Sequence, residues 1–301
     1  MSSCKQTIVE TMSASAQTGT WGAEDSRSWI RVPDASDDKY SHGVLGVFTG
    51  STTYPGAAVL SVEAATRTGL GMVRYFGPEQ PTRLVLERRP EVVTIEGRVD
   101  AYLSGSGVDP TELAADAPRN EAVMDALVSG LPVVLDAGAL GFVTRSTGPT
   151  IITPHHRELA RMLDQHGVSV SLDDITADPG TWALRSAEEF GVTVILKGSH
   201  THICSAATST SNAFYVRVDS ETAWMATAGT GDVLAGIAGA LVATASGEVL
   251  AQPHTLGALA ATAAFLHAEA GYVASAGGPI AALDVAQALP RVIATLVAGR
   301  S

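Results

Sequence analysis

The run Thr227-Ala228-Gly229-Thr230-Gly231-Asp232 leads directly into the apolar stretch Val233-Leu234-Ala235-Gly236-Ile237. Two glycines one residue apart let the backbone turn sharply and approach a ligand closely. A helix starting there points its unpaired N–H groups and the positive end of its dipole at the turn. Gly229, Thr230 and Gly231 thus form a candidate anion cradle of the kind that holds phosphate. Asp232 sits at its mouth, where a carboxylate can take a proton from a hydroxyl. Cradle and base together are equipment for attack of an alcohol on a phosphoryl group. The same residues also describe a capped helix behind a glycine loop.

Three further groups can do chemistry. Lys197-Gly198-Ser199-His200-Thr201 follows an apolar strand, and its amides, hydroxyls and lysine suit a nucleotide; an ordinary turn with a surface lysine is the alternative. His155, His156 and Glu158 invite a metal reading, but neighbouring helical residues point different ways and the His-Glu-x-x-His zinc pattern is absent. A better role is a hydrogen bond from one histidine to a substrate, with Glu158 near a phosphate-bound Mg²⁺ through water. Alternatively, the histidine caps a helix and Glu158 complements its dipole. Asp136, at the end of an apolar strand, either orients the cleft, binds a hydrated metal or caps the next turn. Cys204 reads as a small buried residue.

These groups need a scaffold. Strand-like runs at 45–48, 72–76, 101–104, 132–136, 150–154 and 192–196 alternate with helix-like segments at 57–65, 119–129, 157–165 and 182–190. A hairpin-type pair follows at 201–204 and 213–218, then helical segments near 232–245, 255–275 and 281–298. Short buried strands alternating with helices predict an α/β fold, a mostly parallel sheet covered on both faces. Gly50, Gly105-Ser106-Gly107, Lys197-Gly198 and Gly229-Thr230-Gly231 all follow β-type runs, so four loops can converge beyond the strand ends. Residues 1–35, rich in Ser, Thr and Asp, read as a flexible or loosely attached arm, with order beginning near Tyr40 and a single domain over 36–301.

The chain has 301 residues, 46% of them hydrophobic and 17% charged, which places it among globular sequences with a substantial core. A formal net charge of -12 argues against nucleic acid and anionic membrane as partners, though not against a small phosphorylated ligand held by local dipoles. Two cysteines give neither a disulfide framework nor a metal spacing, and no apolar leader or membrane-length run is read. A cytoplasmic protein is expected.

The ordered blocks 50–60, 67–73, 136–140, 153–158, 197–201, 225–232 and 278–285 resemble the ADP/ATP-dependent NAD(P)H-hydrate dehydratases over roughly residues 40–297. That resemblance implies a ribokinase-like three-layer sandwich. It implies phosphorylation of the hydroxyl of hydrated NADH or NADPH (NADHX, NADPHX) by ADP or ATP, with Mg²⁺, followed by loss of phosphate to restore the ring. By the same resemblance Asp232 is the catalytic base. Lys197, Gly198, Ser199, His200, Thr201 and Gly231 contact the nucleotide, and Ala57, Gly107, His155 and Asp232 line the hydrate pocket. Homo-oligomerisation and a separate NAD(P)HX epimerase are further expectations, because an arm of this length is too short for the epimerase domain that some members carry. The chain has Gly105-Ser106-Gly107 where the family often has Gly-Pro-Gly, and His156-Arg157 where it often has Pro-Gly. Two rival readings are a vitamin-like alcohol kinase of the same superfamily, which shares the Gly-Thr-Gly-Asp block, and a catalytically silent nucleotide-binding protein.

Overall fold

A computed structural model describes residues 17–209 and 211–299. Nine strands form its sheet: β1 (Gln17–Thr20), β2 (Val44–Phe48), β3 (Met72–Tyr75), β4 (Ala101–Ser104), β5 (Val133–Leu135), β6 (Thr150–Ile152), β7 (Thr193–Leu196), β8 (His200–Ser205) and β9 (Phe214–Asp219). Their order is β1-β9-β8-β7-β6-β5-β4-β2-β3. All neighbours are parallel except β7 with β8 and β8 with β9, which run antiparallel. The helices of ten or more residues are α1 (Pro55–Thr68), α2 (Glu79–Arg88), α3 (Ala117–Val128), α4 (His156–Gln165), α5 (Pro179–Phe190), α6 (Thr230–Thr244), α7 (Leu256–Ser275) and α8 (Ala282–Ala298).

The period of two along each strand sorts side chains onto two faces. Leu45, Leu103, Val134, Ile151 and Ile195 join one core with α1, α6, α7 and α8. Phe48, Leu135, Ile152, Val194 and Leu196 join the other with α3, α4 and α5. Both faces are therefore covered, as the apolar strands require. Cys204 is fully buried in the second core, and burial pushes its thiol far up, away from nucleophilic use.

Two elements differ from expectation. The described part of the arm is not loose. β1 pairs in parallel with β9, and Trp21 packs edge-on against Phe214 with 5.8 Å between ring centroids. The Trp21 indole N–H donates to Ser26 Oγ at 2.9 Å, and Ile30 is buried. Composition hid this because two apolar side chains anchor an otherwise polar segment, and the strand's partner lies about 200 residues away. Residues 1–16, the rest of the expected arm, lie outside the described residues. Helix α2, which the sequence reading passed over, carries charges at Glu79, Arg83, Glu87 and Arg88 and buries Pro81 and Val85 alone.

The glycine-rich face of α6 lets it lie directly on α1. A Cβ at Gly236 would overlap the Ser61 carbonyl, so no larger residue allows this approach. Beside that contact, the fully buried Glu63 carboxylate of α1 receives Arg67 from its own helix at 2.6 Å, Arg88 from the end of α2 at 3.1 Å, and Arg89. Burial opposes its charge, but hydrogen bonds from Arg89, Arg67 and Arg88 prevail and hold its pKa down to about 2. A folded-state value below the unfolded one means the stabilisation is complete above the ordinary carboxylate range and is lost as pH falls towards 2. Glu63→Gln should cost about 2–3 kcal/mol at pH 7, since it strands three cations on a carboxamide. Urea denaturation should show that cost shrinking at pH 3; an equal cost at both pH values would refute the charge-based account.

Candidate active site

The parallel strands deliver their functional residues at one edge of the sheet, beyond their carboxyl ends. Asp136 follows β5 and is 2% exposed. One carboxylate oxygen accepts from Thr153 Oγ1 at 2.6 Å and from Lys197 Nζ at 3.0 Å, and the other accepts from Ser106 Oγ at 2.8 Å. Asp136 is thus held in place by three neighbours and its side chain makes no cap bond to the turn that follows. Lys197 follows β7, and its backbone N–H donates to Pro154 O at 2.8 Å. Its ammonium also lies 3.6 Å from Glu158 Oε2. Burial works against its charge, yet Asp136, Glu158 and Asp232 outweigh that and hold it above the usual lysine range.

Asp232 is the third residue of α6. Gly229, which precedes the helix, has φ +91°, a left-handed conformation that a side chain disfavours. A Cβ there would also strike Leu60 of α1. Burial drives the Asp232 carboxyl up to about 7; Asp136 and Glu158 add to the rise, and Lys197 opposes it. A carboxyl poised near neutrality at a helix N-terminus is equipped to accept a proton in the physiological range. A Cβ on Gly231 would lie 3.3 Å from Lys197 Nζ, so the cradle and the ammonium face the same space.

That space is a cavity of about 410 Å³ whose lining includes His155, Lys197, Gly198, Thr201, Thr230 and Gly231. Val218, Met225, Leu234 and Ala264 supply apolar wall. Of the residues the sequence assigned to the nucleotide, Lys197, Gly198, Thr201 and Gly231 meet here. Ser199 is exposed in the turn between β7 and β8, and His200 is exposed with Nδ1 paired to Asp219 at 2.6 Å; neither lines the cavity. His155 caps α4: its Nδ1 accepts from the Glu158 N–H at 3.1 Å, while Glu158 Oε2 accepts from the His155 N–H at 2.8 Å. The capping reading is what the structure shows, and the half-exposed side chain also lines the cavity, with Nε2 3.6 Å from Glu158 Oε1. Ala57 and Gly107 lie against each other, and Gly107 has φ +64°; a Cβ on Gly107 would overlap that of Ala57.

The site residues suit a hydrated Mg²⁺. Among the described residues no three His, Cys, Asp or Glu side chains gather as direct ligands. Glu158 brings carboxylate oxygens to within 3.6 Å of the Lys197 ammonium, and oxygen donors acting through water match a cation that keeps its hydration shell. Sequence reading missed His267 of α7, which lines the cavity and whose Nε2 lies 2.8 Å from Thr230 O. Its signal was a histidine alone in a long alanine-rich helix.

The model of the NAD(P)H-hydrate dehydratase family matches residues 45–291. A bifunctional NAD(P)H-hydrate repair enzyme Nnr from Mycobacterium leprae is 39% identical over 233 residues, 73% of this chain and 45% of that protein. The chain thus spans less than half the length of that relative. An ADP-dependent (S)-NAD(P)H-hydrate dehydratase from Neisseria meningitidis is 33% identical over 222 residues, covering 68% of this chain and 71% of that one. The crystal structure of the ADP/ATP-dependent NAD(P)H-hydrate dehydratase from Bacillus subtilis, co-crystallised with ATP/Mg²⁺, superposes with a TM-score of 0.76 at 26% identity, over 93% of this chain and 99% of that chain. On these matches the chain belongs to the NAD(P)H-hydrate dehydratase family and has its ribokinase-like fold.

Proposed function

We propose that the protein dehydrates (6S)-NADHX and NADPHX to NADH and NADPH, consuming ADP and releasing AMP and phosphate. The observation that carries this reading is the Asp232 carboxyl, poised at about 7 at the mouth of the Gly229–Gly231 cradle. The names of the Neisseria and Bacillus relatives support the substrate and the donor. ATP serves as an alternative donor in the same cavity. A cytoplasmic location, a homo-oligomeric state and an NAD(P)HX epimerase as companion activity belong to the same proposal. Among the described residues no helix is long and apolar enough to cross a membrane.

The nucleotide lies in the 410 Å³ cavity with its terminal phosphate on the cradle amides and beside Lys197. The hydrate ring approaches along Ala57, Gly107 and His155. The Asp232 carboxylate takes the proton of the ring hydroxyl as the oxygen attacks the terminal phosphorus of ADP. The bond from that phosphorus to the bridging oxygen breaks, and AMP leaves. In the phosphorylated hydrate the carbon–oxygen bond then breaks, phosphate departs, and a proton leaves the adjacent carbon to restore the double bond. Phosphate is a far better leaving group than hydroxide, which is why the hydroxyl is phosphorylated first. The amides of Gly229–Gly231 and the Lys197 ammonium stabilise charge on the transferring group. Glu158 would hold Mg²⁺ through water, where the ion would neutralise phosphate charge.

Recovery of absorbance at the dihydronicotinamide band tests the reading. With NADHX, Mg²⁺ and ADP the band should rise with matching AMP and phosphate; a stable phosphorylated product instead would mark a kinase. Asp232→Asn should lower kcat by roughly 10²–10⁴-fold, the range for a general base, while ADP affinity stays close to the parent's. Because burial disfavours the Asp232 charge, its melting temperature at pH 8 should not fall. The parent's kcat/KM should drop by about tenfold per pH unit below 7, as Asp232 takes up its proton, and level off above. Gly231→Val puts a β-branched side chain against Lys197 and should weaken ADP binding by about tenfold or more in calorimetry. Unchanged affinity would remove the phosphate from this turn.

A further inference from the structure

Helix α7 carries one histidine, His267, at its contact with the first turn of α6. Its Nε2 is 2.8 Å from the Thr230 carbonyl oxygen. A carbonyl accepts and cannot donate, so Nε2 bears the proton and the ring is the Nε2–H tautomer. Burial, reinforced by Lys197 and opposed by the Thr230 bond, presses the imidazole down to about 4. The ring is neutral at physiological pH, and Nδ1 keeps a free lone pair. Nδ1 makes no hydrogen bond among the described residues and is not among the polar atoms sealed away without a partner. The ring lines the cavity together with Lys197, Gly198 and Gly231. The Thr230 hydroxyl is committed elsewhere, to the carbonyls of Met225 and Thr227. The apolar lining from Val218, Met225, Leu234 and Ala264 suits a base and sugar, while Lys197 and Gly231 suit phosphates.

We propose that His267 is a positioning residue that couples nucleoside recognition to the anion cradle, its Nδ1 accepting from a hydroxyl or amino donor of the nucleoside and its Nε2–H fixing Thr230. The inference rests on the nucleotide-dependent reading above. It makes the first turn of α6 sensitive to whether the nucleoside is seated, because one ring spans both.

The two nitrogens can be separated. In His267→Gln the side-chain amide reaches the Nε2 position and can still donate to Thr230, but the Nδ1 acceptor is gone. In His267→Phe both bonds are lost at similar volume. His267→Phe should bind ADP about tenfold more weakly in calorimetry and lose kcat, whereas His267→Gln should recover kcat yet keep a raised KM for ADP. Binding of ADP by the Phe variant within twofold of the parent overturns the proposal. So does equal loss of kcat and affinity in both variants, the mark of a bulk packing role. Should the Phe variant fail to fold, the Gln variant decides alone: raised KM with parental kcat supports the split, and any other pattern overturns it. Absence of ADP binding by the parent overturns the nucleotide reading itself, and this inference with it.

Discussion

The site depends on a lysine buried among carboxylates. Lys197 lies within 4 Å of both Asp136 and Glu158, and its field reaches Asp232. Each member needs the others: an unpaired ammonium or carboxylate in this position would pay heavily for desolvation and would shed or take up a proton. Asp136 is locked by Ser106, Thr153 and Lys197, so it acts as a fixed negative charge. The proton affinity of Asp232 is markedly raised, because burial and its two acidic neighbours act together against one cation. The Asp232 carboxyl is therefore tuned by its surroundings more than by its own contacts.

The fold assembles this balance from distant parts of the chain. Asp136, Glu158, Lys197 and Asp232 arrive on four separate connections, each fixed by a strand end or a helix start. Parallel pairing puts those connections on one edge. The approach of α6 onto α1, permitted by Gly236, sets the depth of the cradle relative to Ala57 and Leu60. Glu63 and its arginines tie α1 to the end of α2. Rigidity where chemistry happens thus comes from contacts that take no part in it.

Much of this was legible because it is local. The Gly229–Asp232 run, the apolar strands and the His155–Glu158 spacing each encode a turn, a strand or a cap within a few residues. Pairings across long separations were not legible. Nothing around Asp136 says that Lys197 will meet it, and nothing around Trp21 announces a slot beside Phe214. His267 was passed over because its helix reads as packing alone, and a buried histidine's partner cannot be inferred from alanines. His200 shows the converse: a residue in the right loop turns its side chain to Asp219 and away from the cavity.

The strand formed by residues 17–20 lies outside the 45–291 segment that defines the family. It covers the free edge of β9, the strand whose Val218 helps wall the cavity. An excised unit cut at the family boundary would present β9 with a row of open backbone donors and acceptors, a template for strand addition from any neighbour. The segment that marks the family and the segment that extends the sheet past β9 are therefore distinct. β1 thus moves the open margin of the sheet from β9, beside the cavity wall, to a four-residue strand one step further out.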